Sequence, residues 1–130
     1  MLNLLIRTDQ LVAELYLFSD TKCLAEYSWN AERRLAETIN IEIDRLLSKA
    51  GKKLGDLNGI GVYSGPGSFT SLRIGLSTAN ALALGLGIPI VQSNDEDWKE
   101  QAIDLLEKGQ DKHIVLPEYG APARITLPRK

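Results

Sequence analysis

The chain is predicted to be an α/β domain whose mixed sheet carries helices on both faces, and three observations lead there. Closely spaced strand-type runs from Leu2 to Trp29 call for an antiparallel meander. From Leu35 onward, helix-period and strand-type segments alternate. Between two of these lies the run Ser64-Gly65-Pro66-Gly67-Ser68-Phe69-Thr70-Ser71-Leu72-Arg73-Ile74-Gly75, in which a strand ends, a glycine-rich turn follows and an apolar helix begins.

The first strand, Leu2 to Thr8, is almost continuously apolar. Leu11 to Phe18 alternates, and Lys22 to Trp29 follows after the turn Ser19-Asp20-Thr21. Asn30 is the expected cap of the first helix, whose stripe is Leu35, Ile39, Ile43, Leu46, Leu47 and Ala50, with Ile41 off the stripe and Gly51 as the stop. The next strand lies within Leu57 to Ser64. Pro66 lacks an N–H and the flanking glycines tolerate positive φ, so that strand cannot continue through them.

Ser68 or Thr70 is the expected cap of the second helix, whose apolar and small residues run to Pro89 with Arg73 as the only charge. A helix without a polar side is normally covered on both flanks, and here either the first helix or a partner protein would supply the outer cover. The segment is too rich in Ser, Thr, Asn and Gly for a membrane span. Ile88 to Gln92 is a fifth strand. Ser93-Asn94-Asp95-Glu96 reads as a capping box for a third helix carrying Trp98, Ala102, Leu105 and Leu106 and stopping at Gly109. Ile114 to Leu116 reads as a short sixth strand. Domain boundaries follow: one domain over residues 1–116 and an extended tail over 117–130, in which Pro117, Pro122 and Pro128 oppose regular structure.

The order β-β-β-α-β-α-β-α, with right-handed crossovers placing the fourth and fifth strands parallel to the first, is similar to that of the ribonuclease H-like domain, also one half of the actin-like ATPase architecture. Bulk properties fit one globular unit: 130 residues, 44% hydrophobic and 25% charged. A net charge of -2 without a basic cluster argues against a large nucleic-acid footprint. The single cysteine, Cys23, excludes an internal disulfide and reads as a small apolar side chain. No export signal is evident at the N-terminus, so a cytoplasmic location is expected.

Catalytic constellations are poorly supported. His113 has no relay partner in the nearby sequence. A metal site would draw on Asp9, Asp95 and Asp97, of which the last two belong to a helix start where acids are common. A nuclease of this fold needs carboxylates converging at the first strand, and Arg7 opposes that. The turn Gly65, Gly67, Ser68 and Thr70 can seat an anion at a helix N-terminus, or can simply let the backbone pack closely, which is the commoner use.

The run from Gly65 to Gly75, with Ala79, Leu82-Ala83-Leu84-Gly85 and Gly87-Ile88-Pro89, resembles the bacterial TsaB (YeaZ) family, whose motif G-P-G-S-F-T-G-L-R-I-G is matched except at Ser71. Arg33-Arg34, Glu37 and Asp44-Arg45-Leu46-Leu47 resemble that family's first helix, and Pro122 to Pro128 its tail. The resemblance covers about residues 1 to 92 in register. It implies a non-catalytic scaffold subunit in the synthesis of threonylcarbamoyladenosine in tRNA, supporting a catalytic, metal-holding paralogue, TsaD. It implies a helix-on-helix interface on the first two helices, with Leu35, Ile39, Ser71, Gly75, Thr78, Ala79 and Leu82 as candidates. A TsaE-type ATPase is a further implied associate, a homodimer is expected when the paralogue is absent, and tRNA would be met only indirectly. No resident cofactor or metal is expected, beyond ATP or ADP at a partner junction. Departures are Arg7 where an acid is common, Leu35-Ala36 for His-Ser, and a length suited to one lobe. The alternative is a stand-alone actin-like nucleotide or phosphate binder that uses the glycine turn.

Overall fold

The structure, a computed structural model, describes residues 1–118, with Phe69 described by its backbone alone. Strand β1 (Leu2–Arg7) pairs antiparallel with β2 (Val12–Ser19), which pairs antiparallel with β3 (Lys22–Asn30). Helix α1 (Leu35–Lys49) then leads to β4 (Gly59–Tyr63), α2 (Phe69–Leu86), β5 (Ile90–Ser93) and α3 (Trp98–Glu107). The five strands lie in the order β3-β2-β1-β4-β5, with β4 parallel to both β1 and β5. This is the mixed sheet and element order read from the sequence.

Period-2 alternation divides the sheet into two faces. Leu4 and Ile6 of β1 and Ala13, Leu15 and Leu17 of β2 point to one of them, where α1 adds Leu35, Ile39, Ile43, Leu46 and Leu47, and α2 adds Leu72, Leu76, Ala79 and Ala83. The predicted residues Leu35, Ile39, Ile43, Leu46 and Leu47 are buried, joined by Glu42, while Ala50 is the half-buried C-cap, Ile41 is exposed, and Gly51 closes the helix at φ +72. On the other face Leu5 and Val91 meet α3 through Trp98, Ala102, Ile103 and Leu106. Each fully buried aliphatic side chain here contributes roughly 1.5–3 kcal/mol.

Several local expectations are corrected. Asn30 does not cap α1. It remains in β3 opposite Val12, and the chain turns through Glu32 at φ +46 before the helix starts beyond Arg34. The Ser93 box is likewise not formed, because Ser93 is held in β5 opposite Tyr63 and its hydroxyl bonds Gln101; α3 starts at Trp98, with Asp97 accepting from the Gln101 amide at 2.8 Å. Ile103, absent from the predicted stripe, is buried, while Leu105 is only half-buried. Cys23 is exposed on β3; burial, then the nearby Glu26 carboxylate, raises its pKa. Helix α2 is not apolar all round: Thr70, Arg73, Ser77 and Ala81 form an exposed outer side, and Leu84, 86% exposed, is its one large apolar member. Ala, Ser and Gly leave the facing of a helix undecided until a sheet is placed beneath it.

Residues 114–116 are not a strand, yet they are tied to the sheet. The Asn80 carboxamide bonds both peptide groups of Val115 (3.0 and 2.9 Å), and the Gln92 carboxamide does the same for Leu116 (3.3 and 3.2 Å). Two amide side chains thus stand in for a neighbouring strand, which satisfies the buried peptide groups without a ladder. Glu118 ends the strap, its N–H donating to the Ser64 carbonyl at 2.7 Å and its carboxylate accepting from Ser64 Oγ at 2.7 Å and Asn94 at 2.9 Å. The predicted tail over 117–130, with the motif Pro122 to Pro128, falls outside the described residues beyond Glu118.

Candidate functional site

The C-terminal ends of β1 and β4 meet the start of α2, where ligands sit in open α/β sheets. Arg7 and Asp9, two apart in extended chain, share a side. Arg7 Nε lies 2.7 Å from Asp9 Oδ1 and its Nη2 3.2 Å from Oδ2, a bidentate pair. The guanidinium also lies 3.9 Å from the Tyr63 ring centroid. The Asp9 bond is the main cause that raises the Arg7 pKa. Asp9 is only 5% exposed, so this carboxylate is committed to its partner.

The glycine turn is shaped around the same residue. The Ser68 N–H donates to the Asp9 carbonyl at 2.8 Å, and a Cβ on Gly67 would fall 2.6 Å from that oxygen. Gly65, at φ +111, has Leu72 Cδ2 2.8 Å from its missing Cβ and the Glu118 carbonyl closer still. Gly75 lies on Thr8, whose Cβ and Cγ2 are 2.8 Å from where a side chain would begin. The glycines are therefore explained by close backbone approach. Ser68 precedes the helix but makes no side-chain cap bond, and Thr70 is exposed.

The two helices of this face form a shallow groove of about 430 Å³ lined by Ala36, Thr70, Arg73, Ile74, Ser77 and Thr78. The interface candidates divide there. Leu35, Ile39, Gly75 and Ala79 are packed inside the chain's own core and offer no surface, which corrects their assignment. Ser71, Thr78 and Leu82 are half-buried, and of these Thr78 lines the groove, with Leu82 one turn further along α2. Thr78 Oγ1 donates to the Ile74 carbonyl at 2.9 Å.

His113 is exposed and lies 3.2 Å from Asp111. Among the described residues no three of His, Cys, Asp and Glu come together where a metal ion could be held. Asp95 and Asp97 accept from Gln101. What sequence reasoning missed is the Arg7–Asp9 pair, legible in two opposite charges two residues apart at the end of the first strand, and the roles of Asn80, Gln92 and Glu118, for which the sequence carries no signal.

Fold and site together define a ribonuclease H-like domain of actin-like topology, and comparison with known proteins agrees. YeaZ from Pseudomonas aeruginosa superposes with a TM-score of 0.65 at 22% identity, over 73% of this chain and 44% of that one. An uncharacterized protein with similarity to peptidase YEAZ from the same organism gives 0.69 at 21% identity, over 99% and 70%. Thermus-type RuvC, solved as T. thermophilus RuvC with a Holliday junction substrate, gives 0.53 at 14% identity, over 92% and 85%. A family model described as "TsaD: tRNA N6-adenosine threonylcarbamoyltransferase" matches residues 27–111. The chain belongs to this family, within the TsaB/TsaD superfamily that its glycine-turn motif resembles. The enzyme of that name from Geotalea uraniireducens is 45% identical over 97 residues, 75% of this chain and 28% of that protein. The one from Clostridioides difficile is 35% identical over 103 residues, 69% and 30%. The chain thus spans under a third of the length of these two relatives. No helix among the described residues is long and apolar enough to cross a membrane.

Proposed function

We propose that this chain is a non-catalytic, TsaB-type subunit for synthesis of threonylcarbamoyladenosine in tRNA, which binds and supports a TsaD-type paralogue in the cytoplasm. The observation that carries the reading is the Arg7–Asp9 pair: at the strand end where a catalytic domain of this fold would present a free acid, the carboxylate is neutralised and buried. The groove between α1 and α2 supports the docking half, because Ile74 and Thr78 line it and it is open to a partner helix. The family match adds the pathway. In this reading the homodimer is the resting form, a TsaE-type ATPase and any nucleotide join only at the paralogue junction, and tRNA is met through the paralogue. The stand-alone nucleotide binder is less well supported, since Gly67 and the Ser68 N–H are engaged by Asp9.

The test is light-scattering mass of the chain mixed with its cognate TsaD-type paralogue. A one-to-one complex is expected, abolished by Leu82→Glu or Thr78→Arg at the groove edge. No complex, or one indifferent to both changes, overturns the docking half. Threonylcarbamoyl transfer by this chain alone, or tight ATP binding weakened by Thr70→Ala, overturns the non-catalytic half.

A further inference from the structure

The two sheet faces are unequally covered. Helix α3 packs on β5, β4 and, more lightly, β1. Neighbouring strands are about 4.8 Å apart, and packed helices lie about 8–10 Å apart. The next helix beside α3 would therefore run two strands further on, along β2, and no described element occupies that place.

Its floor is set by register. Glu14, Tyr16 and Phe18 of β2 stand opposite Arg7, Leu5 and Asn3 of β1, and so share the α3 side of the sheet. Tyr16 and Phe18 pack only partly into the small core there, and Val12, in step with them, is 43% exposed. Two open clefts lie along β2, one of about 390 Å³ between Phe18 and α3 and one of about 420 Å³ lined by Val12 and Tyr16 against β3. Their charged lining is mainly acidic: Glu100 and Glu107 from α3, Glu26 from β3, and Glu14 in the floor itself between Val12 and Tyr16. Asp104 is balanced by Lys108 at 2.8 Å, and Lys99 lies over the Tyr16 ring at 4.0 Å. Among the described residues Glu26, Glu100 and Glu107 form no ion pair.

We propose that this trough over β2 is a docking slot for one amphipathic α-helix of a partner protein, apolar along the side that meets Val12, Tyr16 and Phe18 and basic along both flanks. A slot one helix wide, its floor apolar apart from Glu14, selects the shape, and carboxylates from α3, β2 and β3 select the charge. The surface lies on the opposite side of the sheet from the α1–α2 groove, so it goes beyond the scaffold reading and stands or falls separately.

The probe is a synthetic helical peptide of about five turns, leucine along one stripe and lysine on both flanks, with a second peptide carrying glutamate in place of lysine. Each is titrated into the isotope-labelled full chain and followed by NMR. Binding of the lysine peptide is expected to shift amides of β2, β3 and α3. Its affinity should fall about tenfold in the double variant Glu26→Lys/Glu100→Lys and stay level in Asp44→Lys on α1, since only charges lining the slot attract it. All three sites are exposed, so these variants keep the fold. The proposal is overturned if the glutamate peptide binds equally well, if shifts fall on α1 and α2, or if the double variant binds as before. It is also overturned if the free chain self-associates through this trough or keeps it filled with its own residues, either of which would block the peptide.

Discussion

On one face of the sheet two helices share a broad aliphatic core, and on the other a single helix rests on a small aromatic cluster. In the first, Leu35, Ile39, Ile43, Leu72 and Leu76 each carry a modest part of the burial. In the second, Trp98 meets Tyr16 and Tyr63 edge-on at 6.1 and 5.8 Å and is the largest of the four buried residues that anchor α3. The contrast teaches that attachment of an element can be distributed or concentrated, and that a single deletion distinguishes the two.

The largest effect is therefore expected at Trp98. Trp98→Ala should cost about 3–5 kcal/mol, because it empties the middle of the small cluster, whereas Ile43→Val on the other face should cost about 0.5–1.5 kcal/mol. Urea unfolding measures both, and equal costs would break the comparison. Next comes a pair on one helix. Gly75→Ala should cost about 1–3 kcal/mol, since the new methyl overlaps Thr8. Gly85→Ala, where nothing lies within 4 Å, should stabilise by about 0.5–1 kcal/mol. Thermal denaturation of the two variants should move in opposite directions.

Smaller still is the strap beside β5. Asn80→Ala strips both peptide groups of Val115 of their partner and should cost about 1–3 kcal/mol, read as faster hydrogen exchange confined to residues 111–118. The smallest effect is electrostatic. Burial alone would raise the Asp111 pKa, but the Ile90 and His113 N–H groups and the His113 side chain outweigh it and lower the value. A lowered carboxylate contributes stability that is full above its unfolded pKa and lost as pH falls through the folded one. The Ile90 amide resonance should accordingly shift in the acid range, and Asp111→Asn should remove that step.

Much of the fold was legible. Alternation and close spacing identified three antiparallel strands, and the α1 stripe was correct from Leu35 to Leu47 but missed the buried Glu42 and included Ala50, which is the half-buried C-cap. The errors fell at element ends: Asn30 and Ser93 have good capping chemistry, but the ladder holds both in strands. Ile114 to Leu116 has strand composition, yet side-chain amides hold it. The candidate interface was half legible, since sequence shows that a residue is apolar but not which neighbour buries it. Leu35, Ile39, Gly75 and Ala79 went to the chain's own core, leaving Thr78 in the groove and Ser71 and Leu82 half-buried on the same helix.

Local chemistry, carried by periods of 2 and 3.6 and by residues such as Pro66 and Gly51, determined by itself the kinds of element, their order and the family resemblance. Only the tertiary structure decided that Arg7 closes on Asp9, that Gly75 must admit Thr8, and that among the described residues no element covers β2 on the α3 side of the sheet. These depend on distances between segments far apart in the chain, which packing sets and no local pattern records.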